Sequence, residues 1–259
     1  MILDLLQYNL ETVLFVFFRI SGLFFIAPVF SQRGMPPHMK IMFALILAAM
    51  ISPLVTLGGY TAPTNLLDLV ALGLREVALG MLIGFVFASL FIGVQMAGAF
   101  IGFQMGFMIV NVIDPVTQDQ VSIMSQFKYI LATLMFFILN GHHMILQALV
   151  MSYKLVPLNE AVFRFAVTTE LASIITGIFV IGIKIASPVM AALILTDVAL
   201  GVISRTVPQM NIFIVGFPIK IALGLFFTGA SVPIFALVFR KALGMINTES
   251  LKLISYLAR

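Results

Sequence analysis

VALGMLIGFVFASLFIGVQMAGAFIGFQMGFMIVNVI, residues Val77–Ile113, runs for 37 residues without a charge. A helix rises 1.5 Å per residue, so about 20 apolar residues cross a hydrocarbon core of about 30 Å. The run is too long for one crossing. Two crossings need a tight turn, and Gly98 to Gly106 is the only stretch that offers one. We read a helix to about Phe100, followed by an irregular apolar loop that ends near Asp114-Pro115. Non-helical backbone at that depth is tolerated only when buried in protein or lining a cavity.

Working outward, Ile41–Leu67 and Tyr129–Tyr153 are also charge-free and long enough to span. Three further runs each carry one cation: Thr12–Phe30 with Arg19, Leu171–Leu195 with Lys184, and Ile212–Phe239 with Lys220. The pattern predicts six helical segments, at about 12–30, 41–57, 77–100, 128–150, 171–195 and 212–239. Pro28, Pro53, Pro188, Pro218 and Pro233 fall within or at the ends of these runs, so several helices are expected to bend or break.

Composition agrees with an all-α polytopic membrane protein. Hydrophobic residues make up 62% of the 259 and charged residues 9%. A soluble domain is about 45–50% apolar and about a quarter charged, and disorder needs the opposite bias. The net charge of +4 reads as topogenic loops, with no nucleic-acid partner. With no cysteine there is no disulfide, thiol chemistry or Cys-ligated metal. No Trp and only five Tyr leave the aromatic belt thin, while 25 Phe and 16 Met pack without polar partners. Asp4 and Glu11 stand where a cleavable signal would be basic, so insertion is expected through the chain's own helices.

Orientation is not settled by the loop charges. Six spans put both termini on one side with Arg75, Lys154, Arg164, Arg240, Lys241, Lys252 and Arg259, which favours cytoplasmic termini. Arg33, Lys40, Arg205 and Lys128 fall on the other side, and the first loop looks cytoplasmic by itself.

Small residues recur every fourth position at Gly80, Gly84 and Ala88, and again at Gly98, Gly102 and Gly106. Such ladders let helix backbones approach closely, either within the chain or against other subunits. The stretch Gly102–Pro115 mixes flexible Gly with Phe103, Met105, Phe107 and Met108. It reads equally as a buried packing loop or as a hydrophobic constriction that closes a pore by dewetting. Arg19, Lys184, Asp197 and Lys220 are costly in lipid and must face protein, water or a partner charge. Asn140-Gly-His-His143 lacks further metal ligands at helical spacing and reads as a capped helix-end turn. No HExxH, P-loop, GxGxxG or GxSxG occurs, so nothing points to catalysis, a metal or a cofactor.

Five strings, in order along the chain, together resemble one family. They are Ala27-Pro-Val-Phe-Ser31 with Pro36 and Lys40, Gly102-Phe-Gln-Met-Gly106, Val112-Ile-Asp-Pro115, Asn140-Gly-His-His143, and Pro208-Gln-Met-Asn-Ile-Phe-Ile-Val-Gly-Phe-Pro218. The chain is similar to the FliR family, flagellar biosynthetic proteins of the bacterial type III export gate. The resemblance implies a non-enzymatic channel subunit in the inner membrane, within the export apparatus of the flagellar basal body. It implies assembly with FliP and FliQ, with FlhB around the cytoplasmic side and FlhA as the energised platform. The cargo is unfolded flagellar subunits. The resemblance also implies a FliP-like part over 1–170 and a FliQ-like hairpin over 171–259, turning between Pro188 and Pro218. The family's pore plug falls, by position, on a loop at about 102–122, making Phe103, Met105, Gly106, Phe107, Met108, Asp114 and Pro115 gate candidates. Gly98, Gly102, Arg19, Lys184, Arg205 and Lys220 are the candidate contacts to sister subunits, with lipid taking the rest of the surface. The alternatives are the equivalent subunit of a virulence injectisome and a small-solute permease.

Overall fold

The computed structural model describes residues 2–28, 30, 36–55, 65–107, 122–158, 160, 165–207, 209 and 211–258, with side chains apart from those of 2–9, 212 and 213. Among them are eight α-helices and no strand. They are α1 (Ile2–Ile26), α2 (Pro37–Ile51), α3 (Leu66–Met105), α4 (Ile123–Ile138), α5 (Gly141–Leu155), α6 (Phe165–Thr206), α7 (Ile212–Ala230) and α8 (Val232–Leu257). A 3-10 turn, Ser52–Leu54, extends α2. The all-α polytopic reading holds.

Each of the six expected segments is helical, two of them as bent pairs. Among the described residues three helical segments are long and apolar enough to cross a membrane, and five if each bent pair is one span. The segment expected at 128–150 is broken into α4 and α5, bent by 67°. Asn140 causes the break: its φ of 57° and ψ of 31° are left-handed, a conformation that Asn visits more readily than most residues. The turn expected there is present, but no Asn140 side-chain cap bond accompanies it. The segment expected at 212–239 likewise divides into α7 and α8, at 55°. There Pro233, with no N–H to give, stands in the first turn of α8.

Pro188 and Pro218, by contrast, lie inside α6 and α7 without ending them. At Pro188 the reason is visible. The missing N–H would have bonded the Lys184 carbonyl, and the Ser187 hydroxyl donates to that carbonyl at 3.1 Å instead. At 40 and 42 residues, α3 and α6 are each about 60 Å long, twice the hydrocarbon core.

The chain forms two compact units. The first comprises 1–89, 140–175 and 244–259. In it α1 and the start of α3 run parallel. Gly22 lies against the Val77 and Met81 backbone, Gly80 against Arg19 and Leu23, and Gly84 against Leu23 and Ala27. A Cβ at Gly22 or Gly80 would strike the neighbouring backbone, so the ladder is what permits the contact. Phe24, Phe30 and Phe43 stack, at 4.3 Å for the closest pair of centroids.

Arg19 sits fully buried at the centre of this unit. Its Nε donates to Glu76 Oε2 at 2.6 Å and Nη1 to Ser152 Oγ at 3.0 Å. Both terminal nitrogens reach the Val156 carbonyl at 3.2 Å, and the guanidinium lies 4.1 Å from the Tyr153 ring centre. Val156 ends α5, so the cation also meets the negative end of that helix. The Tyr153 hydroxyl donates to the Val16 carbonyl at 3.3 Å, tying α5 back to α1. At the edge of the unit, Lys252 pairs with Glu170 at 3.0 Å.

The second unit comprises 90–139 and 176–243. Here α4 packs antiparallel on the end of α3, with Gly98 against Ser125 and Gly102 against Ser122. The Ser125 hydroxyl donates to the Gln95 carbonyl at 2.9 Å. Gly93 faces Ile178 and Ile181, and Gly182 faces Met96, so α6 runs parallel to α3. Phe91 is the hub, with Tyr129, Phe136 and Phe239 around it at 5.6, 5.4 and 6.3 Å.

Removing one member of the Arg19 cluster should be far worse than removing both. Arg19→Ala takes the guanidinium from buried Glu76 and is expected to cost about 3–5 kcal/mol. Arg19→Met with Glu76→Gln should recover most of that. Thermal denaturation of the detergent-solubilised protein compares the two, and equal loss in both would contradict the pairing.

Candidate functional site

The end of α3 is the candidate. Gly106 has a φ of +86°, a positive-φ conformation that glycine adopts without steric cost. Its N–H bonds the Phe103 carbonyl at 3.0 Å, and the Phe107 N–H bonds the Gly102 carbonyl at 3.0 Å. That crossed pair is a Schellman cap, which satisfies carbonyls the helix end leaves open. The helix therefore stops at Met105, five residues beyond the expected end near Phe100, because the cap glycine is Gly106 and not Gly102.

Packing holds the cap in place. The Phe217 ring lies over Gly106, where a Cβ would come within 2.8 Å of Phe217 Cζ. Met105 is fully buried against Gly224 of α7. Phe103 points away from this packing and is 66% exposed, while Phe107 is half-buried in the turn. The chain re-enters at Ser122, beside Gly102. Phe107 and Ser122, the described residues that flank 108–121, thus both lie against the last turns of α3. Met108, Asp114 and Pro115 lie outside the described residues.

A polar lock stands next to Met105. Lys220 Nζ lies 2.7 Å from Asp197 Oδ1, and Gln104 Nε2 donates to Asp197 Oδ2 at 2.7 Å. One carboxylate therefore ties α3, α6 and α7 together. Asp197 is 42% exposed and Lys220 21%, so water or a partner reaches the pair. Sequence reasoning flagged the two charges separately and passed over Gln104. A lone amide in an apolar helix was the available signal, since such groups bond across helices.

Other expected contacts fall differently. Arg19 is covered by its own chain and offers nothing to a sister subunit. Gly98 and Gly102 are spent on α4, the intrachain reading of the ladder. Lys184 and Arg205 are exposed on α6. Lys128, expected at a loop, is fully buried in α4 with its Nζ 5.1 Å from the Phe235 ring centre. It is absent from the loop-charge balance, and only its distance from other charges in the sequence hinted at this. Among the described residues no three His, Asp or Glu gather as metal ligands.

The family described as Bacterial export proteins, family 1, matches residues 10–246. The chain is 34% identical over 214 residues to the flagellar biosynthetic protein FliR of Bacillus subtilis (strain 168), covering 81% of each chain. It is 27% identical over 218 residues to FliR of Escherichia coli (strain K12), covering 84% of this chain and 83% of the relative. It is also 31% identical over 213 residues to the surface presentation of antigens protein SpaR of Shigella flexneri, covering 82% and 81%.

The cap itself can be tested. Gly106→Ala forces a side chain into a left-handed backbone, costing about 1–2 kcal/mol, and pushes on Phe217. Adding Phe217→Ala should relieve the push and leave the backbone cost. Limited proteolysis of the membrane-embedded protein reads both effects, and a Gly106→Ala protein as resistant as the parent would refute the account.

Proposed function

The chain belongs to the bacterial export proteins of family 1, with FliR among its relatives, and on that premise we propose that the end of α3 helps close the channel. The protein is a subunit of the type III export gate in the bacterial inner membrane, acting in flagellum biosynthesis. A permease reading is no longer favoured. The virulence-system role is the second reading, because SpaR is also similar.

One observation carries the closing role: Phe107 and Ser122, which flank 108–121, both lie against the last turns of α3, while Phe103 projects from the same turns. The gate set is Phe103, Gly106, Phe107 and Met108 with Asp114 and Pro115, supported by the Gln104–Asp197–Lys220 lock. Met105 acts by holding the cap down, since it is buried. Apolar side chains at a narrow point exclude water and so ions, and a capped, packed anchor keeps them in register.

The partners in this reading are FliP, FliQ, FlhB and FlhA, with unfolded flagellar subunits as cargo. Lys184 and Arg205 are the exposed α6 cations that meet neighbouring subunits, and Lys220 does so through its open side. Residues 1–170 correspond to a FliP-like part and 171–259 to a FliQ-like hairpin. The Asp197–Lys220 pair between α6 and α7 supports that hairpin.

Phe103→Gly with Phe107→Gly should make expressing cells leaky to small solutes while the complex still assembles. Unchanged permeability in a correctly assembled complex would overturn the seal. Met105→Gly should instead lower stability, by about 2–5 kcal/mol as for other buried large-to-small changes. Co-expression with FliP and FliQ should yield a co-purifying complex. A homogeneous, long-lived monomer made without them would count against obligate assembly.

A further inference from the structure

The first compact unit carries an apolar groove of about 710 Å³. Ile26 of α1, one face of α3 with Ala78, Leu82 and Phe85, and Leu171 of α6 line it. Thr168 is its single polar side chain, and that hydroxyl already donates to the Phe165 carbonyl at 2.6 Å. The groove thus offers an occupant almost only apolar contact, with no free side-chain donor among its lining residues.

The α3 face continues past the groove to Arg75. It stands three residues before Ala78 and seven before Leu82, so it shares their face about one turn away. Arg75 is exposed, and among the described residues its guanidinium has no ion pair or hydrogen bond. The nearby carboxylates do not neutralise it. Glu76 turns inward to Arg19, Glu170 is held by Lys252, and Asp68 is two turns further along α3.

An apolar slot that runs to an unpaired guanidinium fits an amphiphile with an anionic head. We propose that this groove binds an anionic glycerophospholipid, with an acyl chain along Leu82 and Phe85 and the phosphate on Arg75. A guanidinium takes two phosphate oxygens at once. Basic residues at membrane helices attract acidic headgroups. A helix from another subunit fits less well. Such a helix would have to bring its own carboxylate to Arg75, whereas an acidic headgroup carries the anion with it. The inference needs only that the chain is embedded in a membrane, so it stands apart from the gate reading.

The test uses the full chain, expressed in cells together with FliP and FliQ. Leu82→p-benzoylphenylalanine is photolysed in the membrane and the adduct is weighed by mass spectrometry. A phospholipid-sized adduct is expected. Arg75→Gln should lower its yield about fivefold, and Arg75→Lys should keep most of it. The same protein in nanodiscs of phosphatidylcholine with a minor share of phosphatidylglycerol should give adducts enriched in phosphatidylglycerol. An adduct to a protein subunit, no adduct from protein present at normal level, indifference to Arg75→Gln, or adducts in proportion to lipid supply would each overturn the proposal. Leu171→p-benzoylphenylalanine replaces the Leu82 variant if that one fails to accumulate.

Discussion

Close approach of helix backbones along α3 is the constraint on which both compact units depend. Gly80 and Gly84 admit α1, Gly93 admits α6, Gly98 and Gly102 admit α4, and Gly106 admits the Phe217 ring of α7. In lipid there is no hydrophobic force between helices, so contact area must come from van der Waals packing. Glycine gives up about 1 kcal/mol of helix propensity relative to alanine at each such site. The contacts it opens return more than that, because two backbones meet without a side chain between them.

Charge is handled within the same frame. Arg19 is fully buried, and the groups that compensate it come from α3 and α5, which makes the cluster a check on correct packing. Asp197 and Lys220 face each other across α6 and α7, and Gln104 takes the second carboxylate oxygen. Lys128 is the exception, since an aromatic face is its neighbour where a carboxylate might be sought. Ionisable groups at such depth are costly, so their placement is rarely incidental.

Much of this was legible in the residues. The charge-free run and the apolar excess dictated helices in a membrane, and the four-residue spacing of small side chains marked α3 as the packing face. The breaks were legible only in part, since a turn at Asn140–His143 and a break near Pro233 were expected but an unbroken passage through Pro188 was not. Proline was the obvious suspect, yet Pro188 is carried through because Ser187 supplies the missing donor, while Asn140 ends a helix by a dihedral angle that leaves no hydrophobicity signal. Pairing was hidden for a different reason. Arg19 and Glu76 are 57 positions apart, and only the parallel docking of α1 on α3 makes them neighbours. At the candidate site, Gly106 and Met105 were visible as types. Their distinct duties, one bending the backbone and the other filling space, depend on α7.

The Schellman cap is made almost wholly of main chain, while the contact at Ser122 sets that residue's side chain against Gly102. Phe217, Gly102 and Ser122, which make the contacts at these two points, all lie outside 108–121. Residues of that interval can therefore change while both contacts keep their partners, and the helices that carry them need no redesign.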